Sequence, residues 1–264
     1  MAAPAKTGVV IKLGGSVITE KAKPFTVRKG VLERLSAEIG EIWQAGNWVV
    51  IVHGGGSFGH PVASRYSLHV GKSSGSPPMA ISMVEDAMRE LNREVVSHLI
   101  KAGMPAVGLQ TLGVAHASGG RLDWLNLPVY DSLVSFGVIP VSYGSLVMDS
   151  SLGYCILSGD DLAVQIAVGL SAKKLIFATD VEGVYSADPK SESAAVLLPR
   201  MSLSRDSIAF GSASNDVTGG MKKKVLSTGP AVQAGVEVRI VNGMREDVLK
   251  QAVFGKPLGT EIVL

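Results

Sequence analysis

The sequence predicts an α/β protein, a three-layer α-β-α sandwich around a mostly parallel sheet. Three observations lead there. Runs such as Val9-Val10-Ile11 and Val49-Val50-Ile51-Val52 are apolar without alternation, as in strands buried on both faces. These runs alternate with segments of helical period, the pattern of a sheet covered by helices. Several runs end in glycine-rich or acidic turns, and open sheets of this class gather such turns at the carboxyl edge, where ligands bind.

The elements follow in order. Val9 to Leu13 reads as a first strand ending in Gly14-Gly15-Ser16. Val27 to Ala45 carries Val31, Leu35, Ile39 and Ile42 at helical spacing, and Gly46 stops it. The second strand enters His53-Gly54-Gly55-Gly56-Ser57-Phe58-Gly59-His60, where consecutive glycines let the backbone turn its N–H groups toward one spot, as in a phosphate cradle. His60 closes this loop with a donor that titrates near neutrality. Ser67 to Pro78 is a loop. Its Gly71-Lys72-Ser73 is not the end of a P-loop, because Tyr66 stands where the first glycine belongs. Ala80 to Ala102 is a long amphipathic helix. Ala106 to Leu109 is a short strand, Gly113 to Leu127 a surface hairpin, Pro128 to Phe136 a short helix and Val138 to Ser142 a strand. Ser158 caps a helix running through Leu170. Lys174 to Thr179 is a strand, Thr218 opens a helix through Ala234, and Glu237 to Val241 and Thr260 to Val263 are the last strands.

Composition sets bounds. The 264 residues, read as one domain, are 46% apolar but only 5% aromatic, so the core is aliphatic. Gly137 marks a soft division into halves, about 1–137 and 138–264. A net charge of +2 gives no reason to propose nucleic acid or a membrane as partner. The lone Cys155 excludes an intrachain disulfide and fits a cytoplasmic location. The stretch before Val9 lacks the apolar run of a signal peptide, and no stretch approaches a membrane span.

Two phosphate-type turns beside basic residues point to phosphoryl transfer, which needs positioning and positive charge more than a nucleophilic side chain. The turns, in this order along the whole chain, resemble the amino acid kinase superfamily. Its marks are Thr179-Asp180-x-x-Gly183-Val184-Tyr185 with Asp188-Pro189, and Thr218-Gly219-Gly220-Met221 with a lysine three residues on. Within it, Lys12-Leu13-Gly14-Gly15-Ser16-Val17-Ile18-Thr19-x-Lys21, the His53–His60 loop and Leu157-Ser158-Gly159-Asp160-Asp161 resemble isopentenyl phosphate kinases. The resemblance implies the amino acid kinase fold, a homodimer, and transfer from ATP, with Mg²⁺, to isopentenyl monophosphate in isoprenoid biosynthesis. The first half would bind the acceptor and the second the nucleotide.

Residue by residue, the resemblance implies that Lys12, Lys21 and Lys224 neutralise charge on the transferring group, and that Asp161 orients the two active-site lysines. Asp160 is read instead as an acid facing the helix dipole. Gly14, Gly15 and Ser16 would cradle the ATP phosphates by backbone N–H, with Gly56 beside them. Gly55, Gly59, His60 and Gly159 would meet the acceptor. Asp180, Gly183 and Tyr185 would form the nucleotide loop, and Gly219 and Gly220 would bring a helix N-terminus to the phosphates. No residue is assigned to a metal. A phosphate acceptor is largely ionised at pH 7, its second pKa being about 6, so no general base is needed. His53 reads as structural, and His69, His98 and His116 as surface or helix residues. Kinases of other small phosphates or phosphonates, such as fosfomycin, and a non-catalytic nucleotide-binding regulator of the same fold remain open alternatives.

Overall fold

A computed structural model describes residues 7–187, 192, 194–204, 219–255 and 258–264. Its strands are β1 (Gly8–Leu13), β2 (Trp48–His53), β3 (Ala106–Gly108), β4 (Ala115–Ser118), β5 (Arg121–Leu125), β6 (Ile139–Tyr143), β7 (Ser145–Asp149), β8 (Gly153–Leu157), β9 (Lys174–Thr179), β10 (Arg200–Ser202), β11 (Glu237–Asn242) and β12 (Thr260–Val263). The helices are α1 (Gly15–Ile18), α2 (Lys29–Gln44), α3 (Gly56–Arg65), α4 (Pro78–Lys101), α5 (Thr111–Val114), α6 (Leu127–Ser135), α7 (Gly159–Gly169), α8 (Gly219–Ser227), α9 (Gly229–Gln233) and α10 (Val248–Val253).

Eight strands form the main sheet in the order β10-β12-β11-β9-β1-β2-β6-β3. It is parallel throughout except where β12 runs against β11. The unbroken apolar runs follow from burial on both faces. In β1, Val9, Ile11 and Leu13 enter one core, packed with Leu35 and Ile39 of α2 and Leu91 and Val95 of α4. Val10 enters the other, with Leu162, Ala163 and Ile166 of α7. Period-2 alternation therefore puts Lys12 on the α7 side of the sheet. The amphipathic stripe of α4 covers the opposite side, as its spacing predicts.

Several elements differ from the sequence reading. Val27 is not helical; it bridges Thr19, and the helix starts at Lys29. The region of Ser67 to Pro78 contains a 3-10 turn, Leu68–Ser74. The surface hairpin exists as β4–β5, but it joins β7 and β8 in a second sheet of order β5-β4-β7-β8, and β7–β8 had no counterpart in the sequence reading. The helix expected through Ala234 is two, α8 and α9, interrupted at Thr228 before Gly229-Pro230. Asp149 pins the second sheet. Its carboxylate accepts the amides of Gly119, Gly120, Ser151 and Leu152. Burial pushes its pKa up, but these four donors outweigh that and hold it at about 2.

Candidate active site

Strands β9, β1, β2 and β6 are consecutive in the sheet, and Lys12 lies in register with Phe177 on one side and Val52 on the other. Their carboxyl-end turns are therefore neighbours. They line a cleft of about 1350 Å³ whose far wall comes from the second sheet. A single small ligand typically occupies roughly 300–1,000 Å³, so the cleft has room for two substrates.

The glycines of the first two turns are required by each other. A Cβ on Gly15 would strike the backbone of Gly56, and one on Gly56 would strike Thr19 Oγ1 and the Gly15 carbonyl. Gly56 also has a φ of +46°, a conformation that glycine adopts without strain. Thr19 Oγ1 donates to the Gly15 carbonyl (2.6 Å) and accepts the Ser57 amide (3.0 Å), locking the two turns together. The Gly14 amide donates to the Ala178 carbonyl at 2.8 Å. Gly14 thus spends its N–H on the neighbouring strand, which corrects its reading as a phosphate-cradling amide. Gly15 and Ser16 stand in the first turn of α1, where amides lack intrahelical partners. Gly55 and Gly59 both face Met88 Sδ of α4, so their missing side chains let α4 close on the loop.

At the heart of the cleft, Asp160 bridges two lysines. Its Oδ1 is 2.8 Å from Lys12 Nζ and its Oδ2 is 2.6 Å from Lys224 Nζ. All three groups are largely buried, and Lys224 Nζ also lies over the Phe177 ring at 5.2 Å. Burial alone would raise the Asp160 pKa; the two ammonium groups reverse that and hold it at about 2. Burial, assisted by repulsion from Lys12, lowers Lys224 to about 8. The bridging acid is therefore Asp160, correcting the assignment to Asp161. The reason is helical phase. In α7, Asp160 is in line with the buried Ala163 and Ala167, whereas Asp161 is in line with exposed Gln165. Burial raises the Asp161 pKa, with Lys223 opposing it. Asp160 is also in the first turn of α7, capped by Ser158 Oγ as expected.

Lys21 is exposed at the cleft and pairs with Asp180 at 3.1 Å. His60 lies inside α3 and faces the cleft. Burial, with a further contribution from Lys12, lowers its pKa. His53 is structural, as expected. It is completely buried, its Nδ1–H donates to the Gly54 carbonyl, its Nε2 accepts from Asn92, and burial holds its pKa at about 4. His98 is a buried helix residue, whereas His69 joins the cleft wall.

Gly159 packs on the His53 carbonyl and Gly144, Gly183 packs on Thr260, and both line the cleft with Tyr185. Gly219 and Gly220 open α8. Asp188, Pro189 and Thr218 lie outside the described residues. Beyond Asp160, the sequence reading missed apolar residues that line the cleft: Val84 and Met88 from α4, Cys155 and Ile156 from β8. Met88 sat in a methionine series read as core; it is 1% exposed and belongs to both core and cleft. Helical period marked the α4 positions as inward-facing, but β8 carried no comparable signal.

Comparison with known proteins agrees with this geometry. A family model described as "Amino acid kinase family" matches residues 7–242, and the chain belongs to that family. The isopentenyl phosphate kinase of Methanothermobacter thermautotrophicus is 32% identical over 265 residues, covering 96% of this chain and 98% of that protein. That of Thermoplasma acidophilum is 35% identical over 219 residues, covering 83% and 84%. A solved X-ray structure of isopentenyl phosphate kinase matches with a TM-score of 0.84 at 30% identity, covering 97% of this chain and all of that one. Within the family, the chain falls with the isopentenyl phosphate kinases.

Proposed function

We infer that the protein transfers the γ-phosphoryl group of ATP to isopentenyl monophosphate, making isopentenyl diphosphate for isoprenoid biosynthesis. The observation that carries this reading is one cleft that holds two interlocked phosphate-type turns, the Lys12–Asp160–Lys224 bridge and His60, and that has apolar side chains in its walls. A short apolar tail suits those walls, and an anionic head suits His60.

In this reading an acceptor phosphate oxygen attacks the γ-phosphorus while the bond from that phosphorus to the β–γ bridging oxygen breaks and ADP leaves. Lys12 and Lys224 neutralise charge on the transferring group, Lys21 reaches it from the rim, and Asp160 holds the first two in place. The α1 amides of Gly15 and Ser16, together with Gly56, face the ATP phosphates. Asp180, Gly183 and Tyr185 form the nucleotide loop, and Gly219 and Gly220 direct the α8 N-terminus at the same phosphates. Gly55, Gly59, His60 and Gly159 surround the acceptor head. Asp160 and Asp180 are each engaged by lysine, which suits Mg²⁺ arriving on the phosphates of ATP as part of that substrate. In this reading residues of about 1–137 form the acceptor half and those of about 138–264 the nucleotide half. A cytoplasmic homodimer belongs to the same reading and rests on the family resemblance. No helix among the described residues is long and apolar enough to cross a membrane.

The test is substitution of His60. A hydrogen bond from the imidazole to a charged phosphate contributes about 1.5–3 kcal/mol, so His60→Ala should cost about 10- to 100-fold in kcat/KM for isopentenyl monophosphate. His60→Gln keeps a donor and should retain more activity than alanine; His60→Asn, being shorter, should resemble alanine. Wild-type kcat/KM in His60→Ala, or faster turnover of acetylglutamate or uridylate, would overturn the reading.

A further inference from the structure

Pro61 occupies the interior of α3, a position where proline normally disrupts a helix. Lacking an N–H, it leaves the Ser57 carbonyl, four residues earlier, without its helical donor. That carbonyl is taken instead by the Phe25 amide at 3.1 Å. Phe25 belongs to the loop between Thr19 and Val27, whose ends are bridged as a small hairpin with a Glu20-to-Thr26 backbone bond. Phe25 has a φ of +52°, unusual for a bulky side chain and sustained only where the surroundings over-determine it. Its ring is half-exposed and meets the buried Phe58 ring edge-on, with centroids 5.5 Å apart. Lys21 projects from the same hairpin and pairs across the cleft with Asp180. The hairpin therefore ties the acceptor-side helix to the nucleotide-side loop through Phe25 at one end and Lys21 at the other.

We propose that Pro61 and Phe25 are positioning residues: the carbonyl freed by Pro61 latches Phe25 and so sets where Lys21 stands between the two phosphate sites. This rests on the reading of Lys21 as a group that acts on the transferring phosphoryl. Misplacing a reacting group by about 1 Å costs up to about 100-fold, so partial release of the latch should lower kcat about 10-fold. Pro61→Ala supplies a new N–H that competes with the Phe25 amide for the Ser57 carbonyl and weakens its hold on Phe25. It should lower kcat while the thermal unfolding temperature holds or rises, because the bond shifts from Phe25 to the helix and the helix loses a proline. Phe25→Ala should lower kcat similarly, and Phe25→Tyr, which keeps the ring, should restore it.

The deciding experiment is kinetics of Pro61→Ala and Phe25→Ala in the wild-type and Lys21→Ala backgrounds, with ATP and isopentenyl monophosphate. Positioning through Lys21 predicts that either substitution adds less than about 2-fold once Lys21 is gone. Losses that multiply in the Lys21→Ala background, or wild-type kcat in either latch variant alone, would overturn the latch while leaving the reading of Lys21 intact. Wild-type kcat in Lys21→Ala alone would overturn that reading and the latch with it.

Discussion

Two lysine–carboxylate clusters face one cleft and differ in nearly everything else. In the Lys12–Asp160–Lys224 bridge, the lysine side chains are 10% and 11% exposed; in the Lys21–Asp180 pair, the two side chains are 70% and 41% exposed. The first joins the sheet's central strand to two helices. The second joins a hairpin to a loop. Burial strengthens electrostatic interactions and penalises any partner left alone, whereas exposed pairs contribute at most about 1 kcal/mol. The buried bridge is therefore fixed and charge-dense, and the exposed pair would be free to exchange partners if phosphate entered. Two cations around one anion leave the bridge with surplus positive charge at the place where transferring phosphate would need it.

The largest effect expected from this contrast lies in the lysines of the bridge. Lys12→Ala and Lys224→Ala should each lower kcat by about 10²–10³-fold, the loss seen when a preorganised charge-stabilising group is removed from a transition state. Steady-state kinetics beside equilibrium ATP binding checks this, and a loss confined to ATP affinity would assign both lysines to ground-state binding.

Asp160→Asn should leave two buried ammonium groups without their counter-charge. Breaking a buried pair costs about 3–5 kcal/mol, and Lys224 can soften that by releasing its proton, so Tm should fall by at least about 5 °C. Asp161→Asn should leave Tm within about 2 °C of wild type on the same scale, because Asp161 holds neither Lys12 nor Lys224. Equal effects at the two positions would erase the distinction that helical phase makes between them.

The pH profile separates the clusters next. Lys224 has its pKa lowered to about 8, so in the free enzyme it loses its charge as pH rises through that value. kcat/KM for ATP reports the free enzyme and should fall toward tenfold per pH unit above about 8. Lys224→Ala should abolish that limb. The stability contribution has the opposite sign. Between about 8 and the ordinary value of 10.5 the unfolded chain binds the proton that the folded chain has lost, so this group's contribution to stability rises with pH there.

The smallest effect belongs to the exposed pair as a structural element. Lys21→Ala should change folding stability by less than about 1 kcal/mol, measured by denaturant unfolding, even though its kcat falls. Strong destabilisation would mean that the hairpin is part of the core rather than a carrier of Lys21.

Local patterns in the sequence determined much of this protein. The apolar runs read as strands buried on both faces, the glycine series as tight turns, and the alternation with helical segments as a layered parallel sheet. Lys12, isolated in an apolar run before a double glycine, stood out for the same reason, and the structure places it in the cleft. Tertiary structure decided the rest. Asp160 and Asp161 are adjacent acids in one helical turn, and only the packing of α7 on β1 selects between them, although Gln165, four residues beyond Asp161, already hinted at the solvent side. The β7–β8 strands were missed because they sit in a small sheet apart from the parallel core, pinned by an aspartate that collects amides from two separate turns. The pairing of Lys21 with Asp180 spans 159 positions, and the Ser57 carbonyl freed by Pro61 finds its donor in Phe25, far up the chain. Periodicity reports which face of an element is buried; it carries no information about which distant group that face will meet.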